Sequence, residues 1–397
     1  GNVNQSSGSY VGWTWDAGDL ATTSDTTNYN QSQTWSNFLT SSGSFGNAGG
    51  APTAFDSSTS SLCQSNANSE TLTFAPSGGI SYSTSVEVYT YQSHGQFTTT
   101  SDGAQTVSWT TTYQGWKTIA SGGGTFTSTV LSSTDPAQAT SRPTIGAIRV
   151  DGKILINPGV IPAGSISSGV PSIASTVRAN PTAGFSIVSW SGSGANATIG
   201  HGLNAAPEFI ILKDRDYISS WYIYHKGVGN NKYLAFDTGA SYSSPNAWNS
   251  TDPTSSVFSV ISNVNSSGSD IIAYCFAPVA GYSAFGSYEG NGSTTAGPFI
   301  YTGFRSRWLL IKRSNSTDNW AIYDTARDPE NRAESLLRPN TAGAEDSSDI
   351  YNRLDILSNG FKIRPDNATY GLNVNGGEFI YAAFAENPFQ ANGGLAR

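Results

Sequence analysis

The chain has 397 residues, 12% charged, 37% hydrophobic and 12% aromatic, with a formal net charge of -8. An acidic chain with no basic stripe cannot displace counterions from a phosphate backbone, which excludes nucleic acid as a partner. Aromatic rings spread along the whole length exclude a disordered chain, and no apolar run approaches the roughly 20 residues of a membrane span, so no membrane insertion is expected.

In chain order, Asn2-Val3-Asn4 leads through Gly8 into the aromatic run Ser9 to Trp15. The same tripeptide recurs at Asn263-Val264-Asn265 and Asn373-Val374-Asn375, each time before an apolar run, which marks a repeated module. Residues 1–16 are therefore expected to be the terminal strand of a preceding module, with the chain beginning inside it as a fragment or a processed product. Residues 17–32 read as a polar linker. Residues 33–157 read as an inserted, jelly-roll-like β-sandwich. Its strand candidates are Glu70 to Phe74, Ser85 to Tyr91, Thr106 to Trp109, Trp116 to Ile119 and Ile145 to Val150, and Asp102-Gly103 and Asp151-Gly152 are tight-turn dipeptides. Residues 158–182, with Pro158, Pro162, Pro171 and Pro181 among Gly and Ser, read as an extended linker.

Two modules follow, 183–282 and 283–397. Phe209-Ile-Ile-Leu-Lys213 matches Trp308-Leu-Leu-Ile-Lys312, and Trp221 and Tyr224 match Trp320 and Tyr323 at the same offset of 99. Upstream, Phe185 to Trp190 with Gly192 and Gly194 matches Phe285 to Tyr288 with Gly290 and Gly292. Short apolar strands punctuated by Gly and Asn predict an all-β fold, tandem β-sandwich modules plus the inserted sandwich. One helix, of at most two turns, is expected over Asn331 to Leu337.

Cys63 and Cys275 lie in different expected domains and read as two free, buried thiols. No His/Cys cluster has zinc spacing, and no cofactor motif is present, since Ser121-Gly-Gly-Gly124 lacks the spacing of a phosphate loop. A glycosidase would need two carboxylates facing one cleft. Asp214 with Asp216, and Asp324 with Asp328, are the candidate pairs, but each reads as a solvated turn, and no catalytic residue is assigned. Trp248, with Tyr242 and Asn246 nearby, and Trp35 sit among polar residues. Such rings either stack on the C–H face of a sugar or fold back as plugs over a sandwich end. His225 stands where the other module has Asp324, a base in one copy and an acid in the next, which suggests an exposed polar end or diverged ligand contacts. The candidate ligand-binding set is Trp248, Tyr242, Asn246, Trp35, His225 and Asp324, with no metal site.

Tyr10-Val-Gly-Trp-Thr-Trp15, Thr182 to Trp190, Thr198-Ile-Gly-His-Gly-Leu203, Gly281 to Tyr288, Tyr301-Thr-Gly-Phe304, Ile322 to Pro329 and Phe379 to Pro388 resemble repeated modules in tail and fibre proteins of marine tailed bacteriophages, including those infecting cyanobacteria. The resemblance covers about 183–389 and the strand at 3–16, and extends less specifically to 33–157. It implies a virion surface protein, a tail-fibre or receptor-binding component that contacts a host cell-surface glycan or protein without catalysis. It also implies other virion proteins as partners and a homo-oligomer, a trimer. A capsid decoration or head fibre, a glycan depolymerase and a bacterial surface adhesin are the alternatives.

Overall fold

The computed structural model describes residues 9–20, 28–46, 49–138, 141–162, 171–240, 247–348, 353–364 and 371–387. The protein is all-β, with short 3-10 turns as its helical content among these residues. It divides into two compact units, one of residues 20–177 with 198–200, the other of residues 1–19, 178–197 and 201–397.

The first unit is a sandwich of two six-stranded sheets. In one, Ser85–Gln92 lies between Tyr113–Ser121 and Thr144–Val150. In the other, Gly124–Ser133 lies between Leu72–Phe74 and Gly95–Ser101. Alternation decides the faces: Val86, Val88 and Thr90 point inward and are buried, while Glu87 points outward. Phe55, Phe74, Phe97 and Phe126 fill the space between the sheets. On the outer face Arg149 grips Glu87 through two hydrogen bonds, at 2.7 and 2.8 Å, and stacks over the Trp116 ring. Asp151 and Gly152 both have positive φ, as a two-residue hairpin turn requires, and the turn pairs Val150 with Lys153. The Asp151 carboxylate also accepts the amides of Ser83, Thr84 and Ser85. The stretch expected to be a linker carries strands: Val160–Ile161 pairs antiparallel with the start of Ser175–Asn180.

The second unit contains the repeat. The sheet of the first copy runs Phe185–Ser191, Asp270–Phe276, Phe209–Asp214, Tyr222–His225, Leu234–Ala235. That of the second runs Ser283–Glu289, Glu378–Ala385, Ser306–Arg313, Ala321–Asp324. Order and register agree. Phe209 faces His225 and Phe276, while Trp308 faces Asp324 and Phe384. In the second copy an outer layer, Phe299–Tyr301, Gly360–Ile363, Leu354–Leu357, closes over Phe304, Leu309, Ile311 and Phe361.

The repeat is hinged on one asparagine, and its register differs from that of the Asn-Val-Asn tripeptides. Asn265 accepts the Trp190 indole N–H and donates to Ser193 Oγ and the Ala195 carbonyl, and its own carbonyl accepts the Gly194 amide. In the second copy Asn373 plays this part. It accepts the Asn291 amide and donates to Asn291 Oδ1 and the Ser293 carbonyl, and its carbonyl accepts the Gly292 amide. The last asparagine of one tripeptide thus corresponds to the first asparagine of the other. Asn263 and Asn375 are exposed. The tripeptide at Asn2 lies outside the described residues.

Two further expectations are corrected. Residues 9–18 form no strand; instead Trp13 and Trp15 enter the core shared by the two copies. Trp15 sets its ring edge-on to Phe276, Trp308 and Phe384, with centroids 5.3–6.1 Å apart. Residues 331–337 form no helix either. Asp328 accepts the amides of Glu334 and Ser335, and Ala333 and Leu337 bridge to Leu354 and Ile322, so the backbone is spent on lateral pairing. Both cysteines are free and buried, with the Cys63 thiol pushed up to about 12 by burial.

Candidate binding site

The large sheets of the two copies pack face to face. Alternation turns Phe209 and Ile211 of the first copy, and Trp308 and Leu310 of the second, toward one shared core. Leu309 and Ile311 turn the other way, into the second copy's own sandwich.

At the end of this shared core the copies part company. Trp320 is 1% exposed. Its indole N–H donates to the Ala235 carbonyl at 2.9 Å, and its ring meets Phe236 edge-on at 5.0 Å. Trp221, at the matching position, is 36% exposed. The backbone at the two sites is held alike, by an Asp237 carboxylate oxygen on the Trp221 amide and an Asn340 side-chain oxygen on the Trp320 amide. What differs is the cover. Trp221 borders an open groove of about 410 Å³ whose walls are nearly all carbon, formed with Trp15, Ile187, Ile211, Phe236 and Tyr274. Phe185 and Phe276 form its deep end, where the second copy's sheet begins to cover the first.

The residues singled out from sequence lie elsewhere. Trp248 is buried, its ring edge-on to Tyr224 at 5.6 Å. Trp35 is buried and donates its indole N–H to the Asn30 carbonyl at 2.9 Å. Both are plugs, because a polar sequence neighbourhood does not reveal an apolar partner distant in sequence. Tyr242 and Asn246 lie outside the described residues.

His225 and Asp324 are both buried, and neither can meet a ligand. They serve one purpose, accepting the amide two residues on: His225 Nδ1 from Gly227 at 3.0 Å, Asp324 Oδ1 from Ala326 at 3.0 Å. With Nδ1 accepting, His225 carries its proton on Nε2 and donates it to the Tyr381 carbonyl at 3.0 Å. Burial pushes its pKa down to about 4. Asp324 also holds Arg327 at 2.7 Å.

The carboxylates weighed as acid pairs are likewise engaged in turns. Asp214 Oδ1 accepts the amides of Asp216 and Tyr217, Asp216 accepts the Asp270 amide, and Asp328 accepts two amides and the Ser335 hydroxyl. Lys213 and Lys312 donate to carbonyls of the loops that follow them, those of Ser219 and Ser316 among others. Burial lowers the Lys312 pKa to about 8.

Residues 162–388 match the model of a family described as a domain of unknown function, DUF7483. That span is more than half of the chain. The chain belongs to this family. The DUF7483 span contains both copies of the repeat, the asparagine hinges and, apart from Trp15, the residues that line the groove at Trp221, but most of the first compact unit lies outside it. A comparison with curated proteins returns no match.

Proposed function

We propose that this DUF7483 chain is a virion surface protein, a tail-fibre or related receptor-binding component, that attaches by contact and not by catalysis. The virion setting rests on the resemblance to marine phage tail and fibre modules. Attachment rests on the paired tryptophans, one sealed by its neighbour and one left open over an apolar groove. A groove with carbon walls and few polar atoms offers non-directional contact area, which suits apolar side chains of a host-surface protein. One such groove per chain need bind only weakly if several chains engage the cell together.

The purified chain, added to host cells before the phage, is expected to block adsorption. Trp221→Ala is expected to abolish the block while leaving the fold intact. Antibody against the chain should decorate the tail. Labelling of the capsid lattice instead, or a block unaffected by Trp221→Ala, would overturn the reading.

A further inference from the structure

The outer sheet of the second copy carries a row of unlike side chains. In Phe299–Tyr301 the middle residue, Ile300, is buried, while Phe299 and Tyr301 are 48% and 68% exposed. Register places Phe299 beside Lys362 and Lys362 beside Asp355, all on the outward face, at the roughly 4.8 Å strand spacing. An aromatic ring, an ammonium and a carboxylate thus lie side by side.

Asp355 is the odd member. Its side chain is only 8% exposed, although it points outward. Oδ2 meets Arg364 Nη2 at 2.6 Å, but among the described residues nothing donates to the buried Oδ1. A buried carboxylate oxygen without a donor is rare in a finished site. Asp355 lines a cavity of about 750 Å³ with Thr294, Thr295, Asn331, Arg332, Glu334 and Arg364.

The walls are fixed in place. The Asn331 side chain bonds both the amide and the carbonyl of Ile356. Asp328 holds the amides of Glu334 and Ser335. Ser293 Oγ accepts the amides of Thr295 and Ala296, and the Asn373 hinge holds the Ser293 carbonyl. A cavity with this order in place needs little reorganisation to bind.

The lining selects the ligand. The lining carries two guanidiniums and two carboxylates, with Lys362 and Arg353 adjoining them, so it lacks the excess negative charge that a cation would need. Oδ1 of Asp355 needs a donor, and the half-exposed Arg364 has N–H groups beyond those its one carboxylate uses that can donate to a ligand. A hydroxyl is both donor and acceptor. Two strands from Asp355 on the same outward face, Phe299 and, two residues farther along its strand, Tyr301 present exposed rings to the C–H face of a neighbouring sugar ring. We propose that this cavity binds a neutral saccharide, one unit hydrogen-bonded at Asp355 and Arg364 and the next stacked on Phe299 or Tyr301. The site is separate from the groove at Trp221 and does not depend on its reading.

The test uses the whole chain, with methyl glycosides of glucose, galactose and mannose, together with maltose, cellobiose and lactose, in saturation-transfer NMR and calorimetry. At least one sugar is expected to bind, its disaccharide more tightly than its monosaccharide. Asp355→Asn should weaken binding about tenfold or more, the scale for losing one hydrogen bond to a charged group. Tyr301→Ala, at an exposed position, should remove the disaccharide's advantage. Trp221→Ala should change nothing here, which separates this site from the groove. Absence of binding by every probe, tighter binding of inorganic phosphate, or affinities unmoved by both Asp355→Asn and Tyr301→Ala would overturn the proposal.

Discussion

The two copies of the repeat share strand order, pairing register and asparagine hinge, yet the same tryptophan is sealed in one and open in the other. A duplicated unit can keep its scaffold and change only what covers one side chain. Ala235 and Phe236 of the first copy close over Trp320. The second copy leaves Trp221 to the groove. The difference arises from packing, since local sequence around the two tryptophans is alike.

The sharpest way to break this comparison is to delete both rings. Trp320→Ala removes a buried ring and strands the Ala235 carbonyl, so a loss of about 3–5 kcal/mol is expected. Trp221→Ala removes a ring already a third exposed, with no buried hydrogen bond to break, and should cost clearly less, about 2 kcal/mol. Urea unfolding followed by circular dichroism measures both. Equal losses would mean that the groove is not open in solution.

Acid should also tell the copies apart. His201 and His225 both belong to the first copy, and the second contains no histidine. Each is buried with its pKa pushed down to about 4, opposed in each case by one hydrogen bond to a carbonyl, of Thr254 and Tyr381 respectively. The folded protein holds them neutral while the unfolded chain titrates near 6.5, so between pH 4 and 6.5 the unfolded state binds more protons. Their stabilisation is complete above pH 6.5 and is lost as pH falls toward 4, by about 3 kcal/mol for each histidine. Urea midpoints across this range should fall steeply in the wild type and about half as steeply in His225→Gln. An unchanged slope would show that His225 titrates normally.

Much of the fold was legible because strands leave a short-range signature. The continuous apolar runs at 209–212 and 308–311, the alternation around Glu87 and the Asp151-Gly152 turn are all local patterns, and the structure reproduces them. Residues whose state depends on distant partners were not legible. Trp248 and Trp35 look exposed in sequence because Tyr224 and the core around Phe55 do not adjoin them in the way their polar neighbours do. The helix expected over 331–337 failed because its propensity was weighed without Asp328, whose carboxylate captures the amides of Glu334 and Ser335. The groove was invisible since Trp221 and Trp320 read alike. Asp355 gave no signal either, because only strand pairing places it beside Arg364 and Lys362.

The asparagine hinge sharpens the comparison on the side of sameness. Asn265 and Asn373 make matching bonds, so Asn265→Ala and Asn373→Ala should each cost about 2 kcal/mol, the scale for stranding buried polar partners. Asn263→Ala and Asn375→Ala, at exposed positions of the same tripeptides, should leave the urea midpoint unchanged. The opposite ranking would restore the register that the tripeptides suggest.

The smallest expected effect tests the same register at the next turn. Gly268 and Gly376 have φ of +76° and +66°, and their amides donate to the carbonyls of Gly192 and Gly290. A Cβ at either would meet no atom within 4 Å. The cost of Gly268→Ala or Gly376→Ala is therefore purely that of holding an L-residue in the left-handed region, about 1 kcal/mol, and it should be the same in both copies. Gly377 provides the contrast, because a Cβ there would sit 2.8 Å from the Phe379 ring and 3.0 Å from the Val374 carbonyl. Its penalty is steric, and because Gly377 lies outside the positive-φ region D-alanine gains no backbone relief there as it does at Gly376. Thermal melts of D- and L-alanine variants made by semisynthesis separate the two causes. Unequal costs of L-alanine at 268 and 376 would mean that the turn is not built alike in the two copies.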